Sequence, residues 1–135
     1  MKVLVVSGMQ VVRENLRKLM EVQPEVEIVK EAEDTPSGLQ IIERFVPEVV
    51  VLDLQMPLRK SMEAVHRMLA LNPRLKIIAL SMHPDCRYLD ECLQAGVSGY
   101  VLKDCAYEEL AEAVRAVASD HEYVSKSIPM LHIHS

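Results

Sequence analysis

Five short apolar runs, each followed by a segment with helical spacing, set what this chain folds into. The runs Lys2 to Val6, Val26 to Val29, Glu48 to Leu52, Leu75 to Leu80 and Ser98 to Leu102 are rich in Val, Ile and Leu and lack polar alternation. That pattern predicts strands buried on both faces, a property of parallel strands covered by helices. After each run the apolar positions recur at three and four residues: Val12, Leu16, Leu19 and Met20; Leu39, Ile42 and Phe45; Met62, Val65 and Leu69; Leu89, Cys92 and Leu93; Leu110, Val114 and Val117. Each set makes one apolar helical stripe. Thr35-Pro36 reads as a cap and first helical residue, while Gln23-Pro24, Val46-Pro47 and Asn72-Pro73 close helices before the next strand. Connections this short predict an α/β domain, a doubly wound five-stranded parallel sheet with five helices on its two faces.

Length and charge narrow the function classes. At 135 residues, 50% hydrophobic, the chain makes one domain with enough core to fold without staples. That domain is expected over residues 1–122. Residues 123–135 read as a C-terminal tail or the start of a linker, because polar residues and Pro129 precede an isolated Leu131-His132-Ile133-His134. The net charge of -5 comes with scattered lysines and arginines, so no basic stripe predicts direct nucleic-acid contact by this segment. Cys86, Cys92 and Cys105 fit neither a zinc site nor a disulfide framework. With no basic leader and no apolar run near the roughly 20 residues that span a bilayer, a cytoplasmic protein without a membrane partner is expected.

In such a sheet the carboxyl ends of the strands collect into one crevice, where ligands and chemistry sit. The third run ends on Asp53, the fourth on Ser81, and Lys103 follows the fifth. A carboxylate, a hydroxyl and an ammonium in one pocket suit phosphoryl transfer to Asp53, with Ser81 donating to a phosphoryl oxygen and Lys103 offsetting its charge. Tyr100, on the strand that leads to Lys103, is placed to swing inward when Ser81 moves.

At these residues the chain resembles the receiver domain of bacterial response regulators, in the branch that usually carries a C-terminal helix-turn-helix. The resemblance runs from Lys2-Val3-Leu4-Val5-Val6 through Val49-Val50-Val51-Leu52-Asp53-Leu54-Gln55-Met56-Pro57, Ser81-Met82-His83 and Gly96-Val97-Ser98-Gly99-Tyr100-Val101-Leu102-Lys103-Asp104 to Tyr123-Val124-Ser125. It implies a flavodoxin-like receiver fold of strand order 2-1-3-4-5. It also implies Asp53 as phosphoacceptor, Ser81 and Tyr100 as switch residues and Lys103 as the phosphate-contacting lysine. A sensor histidine kinase or other signalling protein is then the implied partner, a homodimer is possible, and the module signals without being an enzyme.

The chain departs from that pattern at Ser7 and Gly8. In the family two acidic residues stand there and, with the phosphoacceptor, hold Mg²⁺. Here Asp53 and the carbonyl of Gln55 would form a weak metal site or none, since Mg²⁺ takes near-octahedral oxygen coordination. No cofactor is expected, and Mg²⁺ only if Asp53 is a working phosphoacceptor. One carboxylate with one lysine leaves the pocket near neutral, whereas three carboxylates with one lysine leave it near minus two. Two unit charges at roughly 4 Å interact by about 4 kcal/mol at an effective dielectric of 20, so Asp53 is expected to pair with Lys103. The next loop reads Leu58-Arg59-Lys60-Ser61, which brings two cations toward the pocket, and Asp104 is a candidate cap for the last helix.

Plain structural roles stand beside these. Ser81 can cap the following helix, Tyr100 can be half-buried packing, His132 and His134 in the tail are a candidate metal-binding pair, and His66 and His83 carry no specific signal. Three functions remain: a degenerate receiver signalling through protein contacts, a working phosphoacceptor controlling transcription through a further module, and a small-ligand or anion binder in the crevice.

Overall fold

The computed structural model describes residues 1–55 and 57–128. Strand and helix alternate as β1 (Lys2–Val6), α1 (Gln10–Glu21), β2 (Ile28–Ala32), α2 (Thr35–Phe45), β3 (Val49–Asp53), α3 (Leu58–Leu71), β4 (Lys76–Ser81), α4 (Cys86–Ala95), β5 (Gly99–Leu102), a 3₁₀ turn (Lys103–Cys105), α5 (Ala106–Ala118) and β6 (Tyr123–Val124). The strands form one sheet in the order β2-β1-β3-β4-β5-β6, with every pairing parallel. This is the doubly wound fold, with one strand more than the five apolar runs predict.

Two apolar layers follow from the two-residue alternation of a strand. Val3, Val5, Val49, Val51, Ile78, Leu80 and Val101 pack against Leu16 and Met20 of α1 and Leu110, Val114 and Val117 of α5. On the other face Leu4, Val6, Val50, Leu52, Ile77, Ala79 and Tyr100 meet Ile42 of α2, Val65 and Met68 of α3, and Leu89 and Cys92 of α4. The central strand β3 is buried along its whole length, in keeping with its apolar run Val49 to Leu52.

Two of the expected strands and caps shift. The second strand lies at Ile28–Ala32 rather than Val26 to Val29. It is an edge strand, so only part of it is covered, and Ile28 and Lys30 stand exposed while Glu31 pairs with Arg13 and Arg17. Val26 is buried from the preceding turn, its N–H donating to the carbonyl of Gln23 at 3.1 Å. Burial marked it apolar without making it strand. Asp34, not Thr35, caps α2, accepting from the N–H of Ser37 at 2.9 Å, and Pro36 sits in the first turn. No side chain caps α5: the residue before it is Cys105, and Asp104 lies within the 3₁₀ turn.

The sixth strand comes from the segment read as a tail. Tyr123 and Val124 pair with Gly99 and Tyr100, and Ile128 is buried. His132 and His134 lie outside the described residues. No helix among the described residues is long and apolar enough to cross a membrane.

Candidate functional site

Register brings the strand ends together. Val6 pairs with Leu52, Asp53 with Leu80, and Ser81 with Leu102, so Ser7, Asp53, Ser81 and Lys103 share the carboxyl edge of the sheet. Alternation then divides them. Ser7, Asp53 and Lys103 continue the rows 3, 5 and 49, 51 and 101 that face α1 and α5, whereas Ser81 and Tyr100 continue the rows that face α4.

Asp53 is enclosed on both oxygens. Its side chain is 5% exposed, and Oδ1 lies 2.5 Å from the ammonium of Lys103, which is itself 23% exposed. The Ser7 hydroxyl donates to Oδ2 at 2.8 Å. Ser7 in turn is held from both sides. Its Oγ accepts from the N–H of Met9 at 3.2 Å, and its carbonyl accepts from the Arg13 guanidinium at 2.8 Å. A buried carboxylate loses its hydration and is stable only when paired and hydrogen-bonded, and here Lys103 and Ser7 supply both requirements.

The position of the second missing carboxylate is filled differently. A Cβ placed on Gly8 would lie 3.3 Å from the side-chain nitrogen of Gln55 and 3.6 Å from the carbonyl of Glu33. The Gln55 amide therefore leans over the space beside Gly8. The Gln55 backbone is tied to Ser61: its N–H donates to Ser61 Oγ at 2.8 Å, and its carbonyl accepts from the same hydroxyl at 3.2 Å. Three groups of a would-be metal shell are thus one engaged carboxylate, one engaged carbonyl and one amide donor. These residues do not fit Mg²⁺, which binds through carboxylates and waters in near-octahedral array. Among the described residues no three His, Cys, Asp or Glu side chains cluster as metal ligands.

A cleft of about 220 Å³ opens beside Asp53, between the ends of β1 and β3 and the starts of α2 and α3, with Ser7, Asp34, Gln55, Lys60 and Ser61 among its walls. Lys60, of the two cations in Leu58-Arg59-Lys60-Ser61, lines it. It adds a cationic side chain to the cleft that Asp53 also lines.

Ser81 and Tyr100 form a separate arrangement on the α4 side. Ser81 is buried and its Oγ accepts from the N–H of His83 at 3.0 Å, which fixes the loop after β4. It does not cap α4, whose cap is Asp85 accepting from the N–H of Arg87 at 2.8 Å. No hydrogen bond joins Ser81 to Asp53 among the described residues. Tyr100 is fully buried rather than half-buried, and its hydroxyl donates to the carbonyl of His83 at 2.7 Å. Burial pushes this phenol up to about 12. The inward position expected to follow a movement of Ser81 is already taken up with Asp53 on Lys103. His83, without a signal in the sequence, matters through its carbonyl and through its ring, which stacks on Tyr88 at 4.6 Å. Arg13 and Ser61 were equally silent, because their roles lie in backbone contacts that spacing does not reveal.

A doubly wound parallel sheet with a carboxylate and a lysine paired at its carboxyl edge defines an α/β fold of the flavodoxin-like receiver type. Residues 3–115 match the response regulator receiver domain family, and the chain belongs to it. It is 30% identical over 127 residues to the transcriptional regulatory protein DegU of Brevibacillus brevis, covering 94% of this chain and 54% of that one. With the oxygen regulatory protein NreC of Staphylococcus carnosus it shares 32% over 125 residues, 92% of this chain and 58% of the relative. The chain thus spans little more than half the length of these relatives. Among solved structures, the isolated receiver domain of RcsB from Salmonella enterica serovar Typhimurium superposes with a TM-score of 0.88 at 25% identity, covering 98% of both chains.

Proposed function

We propose that this receiver domain signals through protein–protein contacts, with weak or no Mg²⁺-dependent phosphorylation at Asp53. One observation carries the reading: both oxygens of Asp53 are engaged, by Lys103 and by Ser7, and Ser7 stands where the family has a metal-binding carboxylate. An incoming phosphoryl group brings negative charge, and its transfer needs a cation to offset that charge. Lys103 offers one, but it is committed to Asp53, and Ser7 and Gly8 add none. The partner is a sensor histidine kinase or another signalling protein of a two-component pathway, in the cytoplasm. The names of the relatives support a place in transcriptional control, exercised by parts of a longer protein rather than by this domain.

A second reading keeps Asp53 as a phosphoacceptor, with the charge of Lys60, which lines the same cleft, standing in for the metal. A solved structure of the RcsB receiver with the phosphomimetic BeF3-, 26% identical with a TM-score of 0.83, provides the comparison probe. Beryllofluoride with Mg²⁺, followed by amide NMR, separates the two. Unchanged signals at Asp53, Ser81 and Lys103 support the protein-contact reading. Saturable shifts that vanish in Asp53→Asn support the phosphoacceptor.

A further inference from the structure

The chain from Tyr123 to Ile128 touches the site's machinery at its outlet. β6 lies along the edge of β5 and makes its bonds at the residues that lead into Lys103. The Ser125 N–H donates to the carbonyl of Tyr100 at 2.9 Å, and the Leu102 N–H donates to Ser125 Oγ, also at 2.9 Å. Ser125 is fully buried, so its hydroxyl is the partner that keeps the Leu102 N–H from being orphaned. One turn later the Ile128 N–H donates to the Ser125 carbonyl at 3.1 Å, and the Ile128 side chain enters the same apolar cluster as Tyr100, Leu89 and Cys92. The third anchor is α5, where the buried Glu109 accepts from the Tyr123 hydroxyl at 2.7 Å and from the Lys126 N–H at 3.3 Å.

We propose that Tyr123–Ile128 is a strap that reads the Asp53–Lys103 pair. Lys103 is the residue after Leu102, so its ammonium on Asp53 and the Leu102 N–H on Ser125 are fixed by one short piece of backbone. When the ammonium leaves Asp53, that backbone is no longer pinned at the sheet edge. The Leu102 N–H then loosens from Ser125, and Ile128 loses its seat against Tyr100. The state of the site reaches the C-terminal end of the domain along one strand, with no helix displaced. Coupling of this kind requires contacts that differ between the two states, and it is reciprocal: loosening the strap weakens the pair by the same factor. The inference goes beyond the reading of Asp53 above, since it requires only that the pair can be broken, by a phosphoryl group, a ligand or a partner.

Native-state hydrogen exchange on the full chain tests it. In Asp53→Asn, which keeps the shape and removes the charge, the amides of Leu102, Ser125 and Ile128 should exchange at least fivefold faster than in the parent chain. The amides of β1 and β2 should change only as far as global stability does. If the strap amides follow β1 and β2, the proposal is overturned. Ser125→Ala runs the test in the other direction and does not touch the pair. It should shift the carboxyl ¹³C resonance of Asp53, and an unmoved resonance in a folded Ser125→Ala chain also overturns the proposal. Phosphorylation of Asp53, were it observed, would refute the reading of the site and leave the strap's test unaffected.

Discussion

Restoring the two carboxylates should restore the metal. In Ser7→Asp/Gly8→Asp the pocket passes from near neutral to about minus two. The carboxylate at position 7 enters a buried place that now holds a hydrogen-bond donor to Asp53. At about 4 Å from Asp53 and an effective dielectric of 20, it costs on the order of 4 kcal/mol in the absence of metal. Position 8 is sterically open: the nearest obstacle to a Cβ is the mobile end of Gln55 at 3.3 Å, which yields by a few tenths of an ångström. The metal-free double variant should therefore melt well below the parent chain. Mg²⁺ at one hundred times its dissociation constant returns about 2.7 kcal/mol, and for a domain of this size that is a rise of about 10 °C. Thermal melts with Mg²⁺ and with chelator read both effects, and Gly8→Asp alone gives a milder variant with the same sign. A parent chain stabilised by several degrees, or a double variant indifferent to Mg²⁺, would refute the charge argument.

Three further outcomes follow from single contacts. Ser7→Ala removes the hydroxyl that donates to buried Asp53 and should lower stability by about 2 kcal/mol in urea, while a loss under about 0.5 kcal/mol would mean that the bond is not needed. Val46 caps α2 with φ 51, a left-handed conformation that a β-branched residue resists, so Val46→Asn should raise the urea midpoint by an amount equivalent to about 1 kcal/mol. Burial raises the Glu109 carboxyl, but bonds from Tyr123, Lys126, Cys105 and Ser125 outweigh it and hold the group below its ordinary 4.5. Its contribution is therefore complete above about pH 4.5 and is lost as pH falls through the lower folded value. The Tyr123 ring signals should broaden or shift over that acid range, and Glu109→Gln should remove the dependence.

What could be read from residue order was whatever depends on burial from both sides. β1 and β3 to β5 were legible because their Val, Ile and Leu runs are covered on two faces. β2 was displaced because an edge strand tolerates Lys30 and Glu31, and β6 was missed because two residues carry no periodicity. What ties β6 to α5 is a contact between Tyr123 and Glu109, 14 positions apart. The pairing of Asp53 with Lys103 followed from strand ends and charge alone. The position of Tyr100 did not, since its partner is a backbone carbonyl that any residue at position 83 would provide. Ser7 was legible as a missing acid but not as the donor that completes the enclosure of Asp53. Its orientation depends on Met9 and Arg13, whose contacts are local backbone geometry.

The central claim is that Lys103 and Ser7 occupy the carboxylate that a phosphoryl group would need. Intact-mass spectrometry after incubation with Mg²⁺ and a small phosphodonor, beside Asp53→Asn, tests it most directly. The account predicts that the parent chain and Asp53→Asn each keep their own unmodified mass. A near-stoichiometric phosphoryl adduct on the parent chain, absent from Asp53→Asn, would contradict it.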